Sequence, residues 1–229
     1  PTESGLIEDT DIFQFNKILT KQERYRIHSK ILSDSYEIND GKEYIPVGDL
    51  FYIRGHLKTY WNIDEMNPIE IPVVLRKEKY LHRKYKIVEA HDVPQEGNWF
   101  IKDASKLKSW THLGEVGLYR DTIADGIYVV SEPIEIISEY RVIALNGVIQ
   151  SIRHYDGNPL SLPDINLISE MVSIFSIQSD SPRAFTLDIA TSDRGTVLLE
   201  IHDFVSVGTY GYYDENLLHM YRFGYEYYK

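Results

Sequence analysis

The chain has 229 residues, 43% of them hydrophobic and 26% charged, enough apolar material for one large domain or two or three small lobes. Its net charge of −11 excludes a surface that is basic throughout and grips nucleic acid by neutralising phosphates, and the absence of cysteine excludes disulfides, thiolate zinc sites and cysteine nucleophiles. No apolar run approaches the roughly 18 residues of a membrane span, and the first residues lack a basic-then-apolar leader, so a soluble cytoplasmic protein without a membrane partner is expected.

From Asp11 to about Ser35 the apolar residues Phe13, Ile18, Tyr25, Ile27 and Leu32 are irregularly spaced and read as one or two short helices. Tyr44 to Leu57 reads as strand around the turn formers Pro46 and Gly48, and Asn67-Pro68 with Pro72 makes an extended connector. Residues 76–108 then hold nine Lys and Arg against five acids, a positive segment in an acidic chain. Such a run is either a solvated face or a seat for an anion. Within it, after the turn Gln95–Asn98, the short apolar strand Trp99-Phe100-Ile101 ends on Lys102, which can project its ammonium as a point charge. Gly114, Gly117 and Gly126 bracket further short strands, among them Ile127–Val130.

Asn146-Gly147 between two strand-like runs predicts a hairpin with a two-residue turn, placing Glu139 opposite His154 and Arg141 two residues along the same face. Ile165, Ile168, Met171, Val172 and Phe175 have helical spacing. At the end of the chain, Asp214 is the expected N-cap of a short helix that stops at Gly224. Seven of the 18 tyrosines follow Thr209, which reads as packing of this segment onto the body.

The segment 185–202 carries the sharpest chemical signal. Leu187, Ile189, Val197, Leu199 and Ile201 are apolar, while Thr186, Asp188, Glu200 and His202 alternate with them, so an amphipathic hairpin is expected. A three-residue turn at Asp193-Arg194-Gly195 sets Asp188 opposite Glu200. Two carboxylates with Cβ atoms roughly 4.5–5.5 Å apart repel unless a cation lies between them. Magnesium suits such oxygens and shares its shell with phosphates, and His202 is a further contact on that face. Neutralising either acid is then expected to leave stability unchanged or slightly higher. The Walker loop, the strand-linked G-x-G-x-x-G, H-E-x-x-H and G-x-S-x-G are all missing, so any nucleotide site is of another type.

In family order, these residues resemble the ATP-grasp superfamily, in particular the clade named for an arginine-to-lysine replacement, from about Tyr44 to Tyr212. Trp99–Lys102 and Lys108-Ser109-Trp110 resemble the strand and loop whose lysines hold nucleotide phosphates, with Asp103 where the family tends to have proline. Val129-Val130-Ser131-Glu132-Pro133 resembles the hinge that reads adenine through backbone groups, and Ser138–Val142 resembles the strand bearing Glu139 and Arg141. Asp188 with Leu198–Asp203 and Gly208–Gly211 resembles the terminal metal pattern, with His202 where most members have asparagine.

The resemblance implies an α/β (α+β) ATP-grasp fold of mostly antiparallel sheets: an N-terminal lobe over 1–75, a central lobe over 76–130 and a C-terminal lobe with the metal site over 131–229. It also implies a ligase using ATP and magnesium to join a small-molecule or peptide carboxylate to an amine through an acyl phosphate. Lys102, Lys108, Val130, Ser131, Glu132 and Glu139 would bind the nucleotide, Asp188, Glu200 and His202 the metal, and Arg141 or Arg153 the carboxylate or acyl phosphate. Two other readings compete with it. One is a nucleotide-binding module without turnover, favoured by His202 and Asp103; the other is a nucleic-acid-interacting protein using residues 76–108, with Tyr80 and Tyr85 for stacking.

Overall fold

The computed structural model describes residues 44–228 except Lys108, Tyr119 and Glu215. The helices expected between Asp11 and Ser35 lie outside the described residues.

The strand expected over Tyr44–Leu57 is replaced by helix α1, Leu50–His56, which runs on into a π-helical turn at Leu57–Trp61. Alternation misled here because Leu50, Ile53 and Leu57 fall on one helical face, and that face packs with Met66, Val205 and Tyr225. Asp49 starts the helix by accepting a 2.8 Å hydrogen bond from the Tyr52 amide. Residues 62–72 are the extended connector, and a single turn of helix, α2 (Glu78–Leu81), follows.

Two four-stranded antiparallel sheets make up the body. The first contains β1 (Tyr85–Glu89), β2 (Asn98–Asp103), β3 (Thr111–Glu115) and β4 (Ile127–Ser131), in the order β1-β4-β2-β3. Ile101, Tyr128 and Val130 form its core with Val93 and Val116. Gly114 lies inside β3 rather than at its end. The second sheet contains β5 (Ile136–Leu145), β6 (Val148–Gly157), β7 (Ala184–Ser192) and β8 (Gly195–Asp203), in the order β6-β5-β7-β8. Helix α3, Ile165–Ser176, covers one face of it. Asp164 caps that helix by accepting from the Asn166 and Leu167 amides, and Ile168, Met171, Val172 and Phe175 pack onto Val142, Leu187, Ile189 and Ile201. Leu75, Tyr80 and Leu81 join the same cluster, so the basic run begins inside this core.

Asn146 and Gly147 both have positive φ, 50° and 75°, as a tight hairpin turn requires. The register then shifts twice, between Ile143 and Ala144 and between Glu139 and Tyr140, so Glu139 faces Asp156 and Tyr140 faces His154. The expected Glu139–His154 pairing is therefore wrong: each bulge adds one residue to β6, Gln150 and Tyr155, which strand alternation does not reveal. The second hairpin turns on Asp193-Arg194 alone, with Ser192 facing Gly195. A shift between Asp188 and Ile189 leaves Leu199 as the extra residue, and Asp188 faces Glu200 as expected.

The C-terminal helix α4, Leu217–Glu226, has Asn216, not Asp214, at its N-cap position, without a side-chain capping hydrogen bond, and runs through Gly224. Asp214 instead accepts a hydrogen bond from the Asn216 amide just before the helix. Gly224 does not stop the helix; it lets the helix press on the chain after β8, because a Cβ there would lie 2.5 Å from the Phe204 carbonyl oxygen. Helix propensity alone makes Gly224→Ala stabilising by about 1 kcal/mol. The close approach instead predicts a loss of about 1–3 kcal/mol, read as a lower denaturant midpoint; a midpoint equal to or above the parent's contradicts this packing.

Candidate nucleotide and metal site

The face of the second sheet away from α3 carries Arg141 on β5, Arg153 on β6, Asp188 on β7 and Glu200 on β8, which pairing places side by side across four strands. Asp188 and Arg141 are both buried, and the guanidinium grips the carboxylate in a fork: Nε donates to Oδ1 and Nη2 to Oδ2, each at 2.8 Å. Nη1 donates to the Gly208 carbonyl at 3.0 Å, and the Tyr210 ring lies 4.9 Å from the guanidinium carbon. Tyr155, released from strand pairing by the bulge, stacks on Tyr210 with ring centres 4.6 Å apart and donates its hydroxyl to Glu139 at 2.8 Å.

Two further cations complete the cluster. His202 Nε2 is 3.2 Å from Glu200 Oε2 and 3.4 Å from Asp188 Oδ2. Lys102, reaching across from β2 of the other sheet, donates from Nζ to Glu200 Oε1 at 3.0 Å. Burial works to raise the Asp188 pKa, but the hydrogen bonds and charge of Arg141 and His202 prevail and hold it down at about 2. Glu200 is likewise held at about 2, burial being outweighed by His202 and Lys102. Burial opposes charging of His202, yet the two carboxylates raise it to about 9. The repelling pair expected from the sequence is thus neutralised by the chain's own cations. The premise that neutralising Asp188 relieves an unpaired repulsion does not hold, since it would leave Arg141 buried without its counter-charge.

Of the other residues singled out, Val130 points into the core of the first sheet, consistent with a role for its main chain only. Ser131 Oγ accepts from Arg83 Nε at 2.9 Å. The Glu132 side chain accepts from the Lys84 amide and pairs with Lys84 Nζ at 2.8 Å. Arg153 Nη2 donates to the Gly211 carbonyl, while its Nε is buried with no partner among the described residues. Lys108 lies outside the described residues. Asp103 organises the loop after β2 by accepting from the amide and hydroxyl of Ser105 and the hydroxyl of Ser109. Arg54 Nη2 ties that loop to α1 through the Leu107 carbonyl at 2.7 Å.

Three neighbouring residues were not anticipated. Glu70 lies beside the cluster, accepting from Tyr85 Oη at 3.0 Å, with its pKa raised by burial. Arg83 is buried against Ser131, where burial lowers its pKa. Thr186, directly across from His202, is fully buried, and its hydroxyl has no partner among the described residues. The alternation around Thr186 was legible, whereas Glu70 sits in a connector with no periodicity to mark its side. The basic run is largely consumed internally: Lys79 pairs with Glu170, Lys84 with Glu132 and Lys102 with Glu200. Tyr80 is fully buried and offers no stacking face to nucleic acid.

Asp188, Glu200 and His202 on one sheet thus face Lys102 from the other. The family model for the ATP-grasp domain, family 2 of the arginine-to-lysine clade, matches residues 80–220, and the chain belongs to this family and has the ATP-grasp fold. The family typically uses ATP and magnesium. Similar solved structures include the D-alanine–D-alanine ligase from Bacillus anthracis complexed with ATP, at 12% identity over 67% of this chain and 62% of that one, with a TM-score of 0.48. The ATP-grasp ligase PsnB complexed with minimal precursor is 11% identical over 66% of this chain and 57% of that one, with a TM-score of 0.46. The N5-carboxyaminoimidazole ribonucleotide synthetase from Thermotoga maritima is 16% identical over 65% of this chain and 46% of that one, with a TM-score of 0.44. The chain spans about half to three-fifths of the length of these proteins. No curated protein matches it. No helix among the described residues is long and apolar enough to cross a membrane.

The donor atoms of Asp188, Glu200 and His202 all lie within 4.8 Å of one another. The two carboxylates keep acceptor capacity for a divalent cation: Asp188 Oδ1 and both Glu200 oxygens each retain a lone pair after their contacts with Arg141, Lys102 and His202, whereas Asp188 Oδ2 faces both Arg141 and His202. Arg141→Leu and Asp188→Asn should each destabilise the fold, the former by about 3–5 kcal/mol because it strands a buried carboxylate. Urea unfolding of both variants checks this, and an Asp188→Asn protein as stable as the parent contradicts the pairing.

Proposed function

We propose that the chain binds ATP with a divalent cation between its two sheets and acts as a carboxylate–amine ligase, residues 76–130 and 131–229 serving as the clamping lobes behind a leading lobe over 1–75. The observation that carries this reading is the 3.0 Å approach of Lys102 on one sheet to Glu200 on the other. It sets a phosphate-binding ammonium beside a metal-binding carboxylate. Lys102 and Lys108 neutralise charge on the transferred phosphoryl group. Asp188, Glu200 and His202 hold the cation, which when bound would supply a Lewis acid for phosphate oxygens. Main-chain groups at Val130, Ser131 and Glu132 read the adenine, and Glu139 closes that end of the site together with Tyr155.

In the proposed reaction a carboxylate oxygen bonds to the γ-phosphorus of ATP as the bond to the bridging oxygen breaks, giving ADP and an acyl phosphate. An amine nitrogen then bonds to the acyl carbon, losing a proton, and inorganic phosphate leaves with an amide formed. Arg141 is spent on Asp188 and Gly208, so it positions the metal carboxylate. Arg153, whose buried Nε has no partner among the described residues, is the better candidate to hold the anionic substrate. The substrates are a small-molecule or peptide carboxylate and an amine.

Mg-ATP should raise the thermal midpoint of the parent by mass action, and the parent should release ADP when carboxylate–amine pairs are screened. Lys102→Ala should lose both responses, whereas Lys106→Ala, whose side chain is exposed, should keep them. Equal effects of the two substitutions contradict the site. A midpoint shift without ADP release for any pair favours the second reading, a nucleotide-binding module, to which the imidazole in the metal cluster points.

A further inference from the structure

The cleft face of the first sheet carries a second cation whose charge no carboxylate among the described residues meets. Arg83, just before β1, is buried. Its guanidinium donates to neutral oxygens, Nε to Ser131 Oγ at 2.9 Å and Nη1 to the Leu81 carbonyl at 3.0 Å, and Nη2 has no partner among the described residues. Glu200 acts on it through its field without forming an ion pair, and burial prevails and lowers the arginine's pKa. Arg141, by contrast, is buried with Asp188 in its fork. A guanidinium taken out of water without a counter-ion destabilises the fold. Holding Ser131 and one carbonyl does not require that charge, because a neutral donor makes the same bonds.

Strand pairing fixes where this cation faces. Alternation along β2 and β4 sets Phe100, Lys102, Val129 and Ser131 on one face of the sheet, with Ile101, Tyr128 and Val130 on the other, in the core. Arg83 lies against Ser131, so it shares the face from which Lys102 reaches Glu200. Ser131 ends β4, one alternate position beyond Val129, the partner of Lys102, and toward the main chain that would read adenine. A substrate carboxylate must meet the γ-phosphorus at the far end of the triphosphate. A cation beside Ser131 faces the near end instead. We propose that Arg83 binds the α-phosphate of the nucleotide, which supplies the counter-ion that the described residues lack. The inference rests on the nucleotide reading above and adds to it a residue that acts in binding, before any phosphoryl transfer.

The test titrates adenosine, AMP and, with a divalent cation, ATP into the full chain by NMR, which reads weak binding. The parent should gain affinity from adenosine to AMP. Arg83→Met should lose that gain, binding AMP roughly 10- to 100-fold more weakly while adenosine binds as in the parent. Without nucleotide, Arg83→Met should melt at or above the parent's midpoint, because it removes a buried charge that has no counter-charge. Arg83→Lys, which keeps the charge and loses the planar fork, should weaken AMP by less and leave adenosine unchanged, and it carries the test if Arg83→Met fails to fold. Equal weakening of adenosine and AMP assigns Arg83 to holding Ser131 and overturns the inference. So does AMP binding that is unchanged in the variants, or a parent that binds AMP no better than adenosine; each of these results leaves the nucleotide site standing. Failure of the parent to bind ATP overturns the nucleotide reading and this inference with it.

Discussion

Two carboxylates held opposite each other on neighbouring strands are the constraint around which the second sheet is arranged. Asp188 and Glu200 cannot both stay charged in a buried setting without cations, and three converge on them. Arg141 comes from β5, His202 from farther along β8, and Lys102 from the other sheet. Breaking the Arg141–Asp188 pair leaves a charge out of water, which ties the register of β5 to that of β7, while Lys102 joins the two sheets at the partly exposed Glu200. A replacement by apolar residues would relieve the desolvation cost, and the charges are what the proposed binding chemistry uses.

The surrounding structure serves the same cluster. The β5–β6 bulge frees Tyr155 to stack on Tyr210 beside the Arg141 guanidinium, fixing the group that orients Asp188. Arg194, at the β7–β8 turn, donates to the His82 carbonyl and approaches Glu132, which ties this hairpin to the end of β4. Asp103, Ser105 and Ser109 shape the loop beyond Lys102, and Arg54 anchors it to α1. Helix α4 seals the far end of the sheet, its Tyr225 hydroxyl donating to the Pro46 carbonyl at 2.7 Å.

Much of this is legible in the residues, for reasons that differ from place to place. The Asp188–Glu200 juxtaposition follows from the sequence only because two differences cancel. A three-residue turn is expected, whereas the chain uses a two-residue turn and regains the register with a bulge at Leu199. In the other hairpin no compensation occurs, and Glu139 faces Asp156. Alternation of apolar residues fixes which face a side chain takes but is blind to a single extra residue. Helix α3 is plain because its apolar spacing, its Asp164 cap and the face it packs on all agree. Tyr44–Leu57 misleads because a short apolar stretch satisfies either period, and distant partners, Val205 and Tyr225, decide between them. His202 is legible on the face of Asp188 and Glu200, whereas Arg141 and Lys102 come from other strands and only the fold reveals that they meet there.

The central claim is that Lys102 and Glu200 act together, across the two sheets, in holding one nucleotide and its cation. A double-mutant cycle on ATP affinity in the presence of a divalent cation, with Lys102→Met, Glu200→Gln and the pair, measures that coupling by titration calorimetry. The account predicts strong non-additivity, with the double variant little weaker than the worse single variant, because each substitution dismantles the same site. Independent, additive losses, or no loss from either substitution, would contradict it.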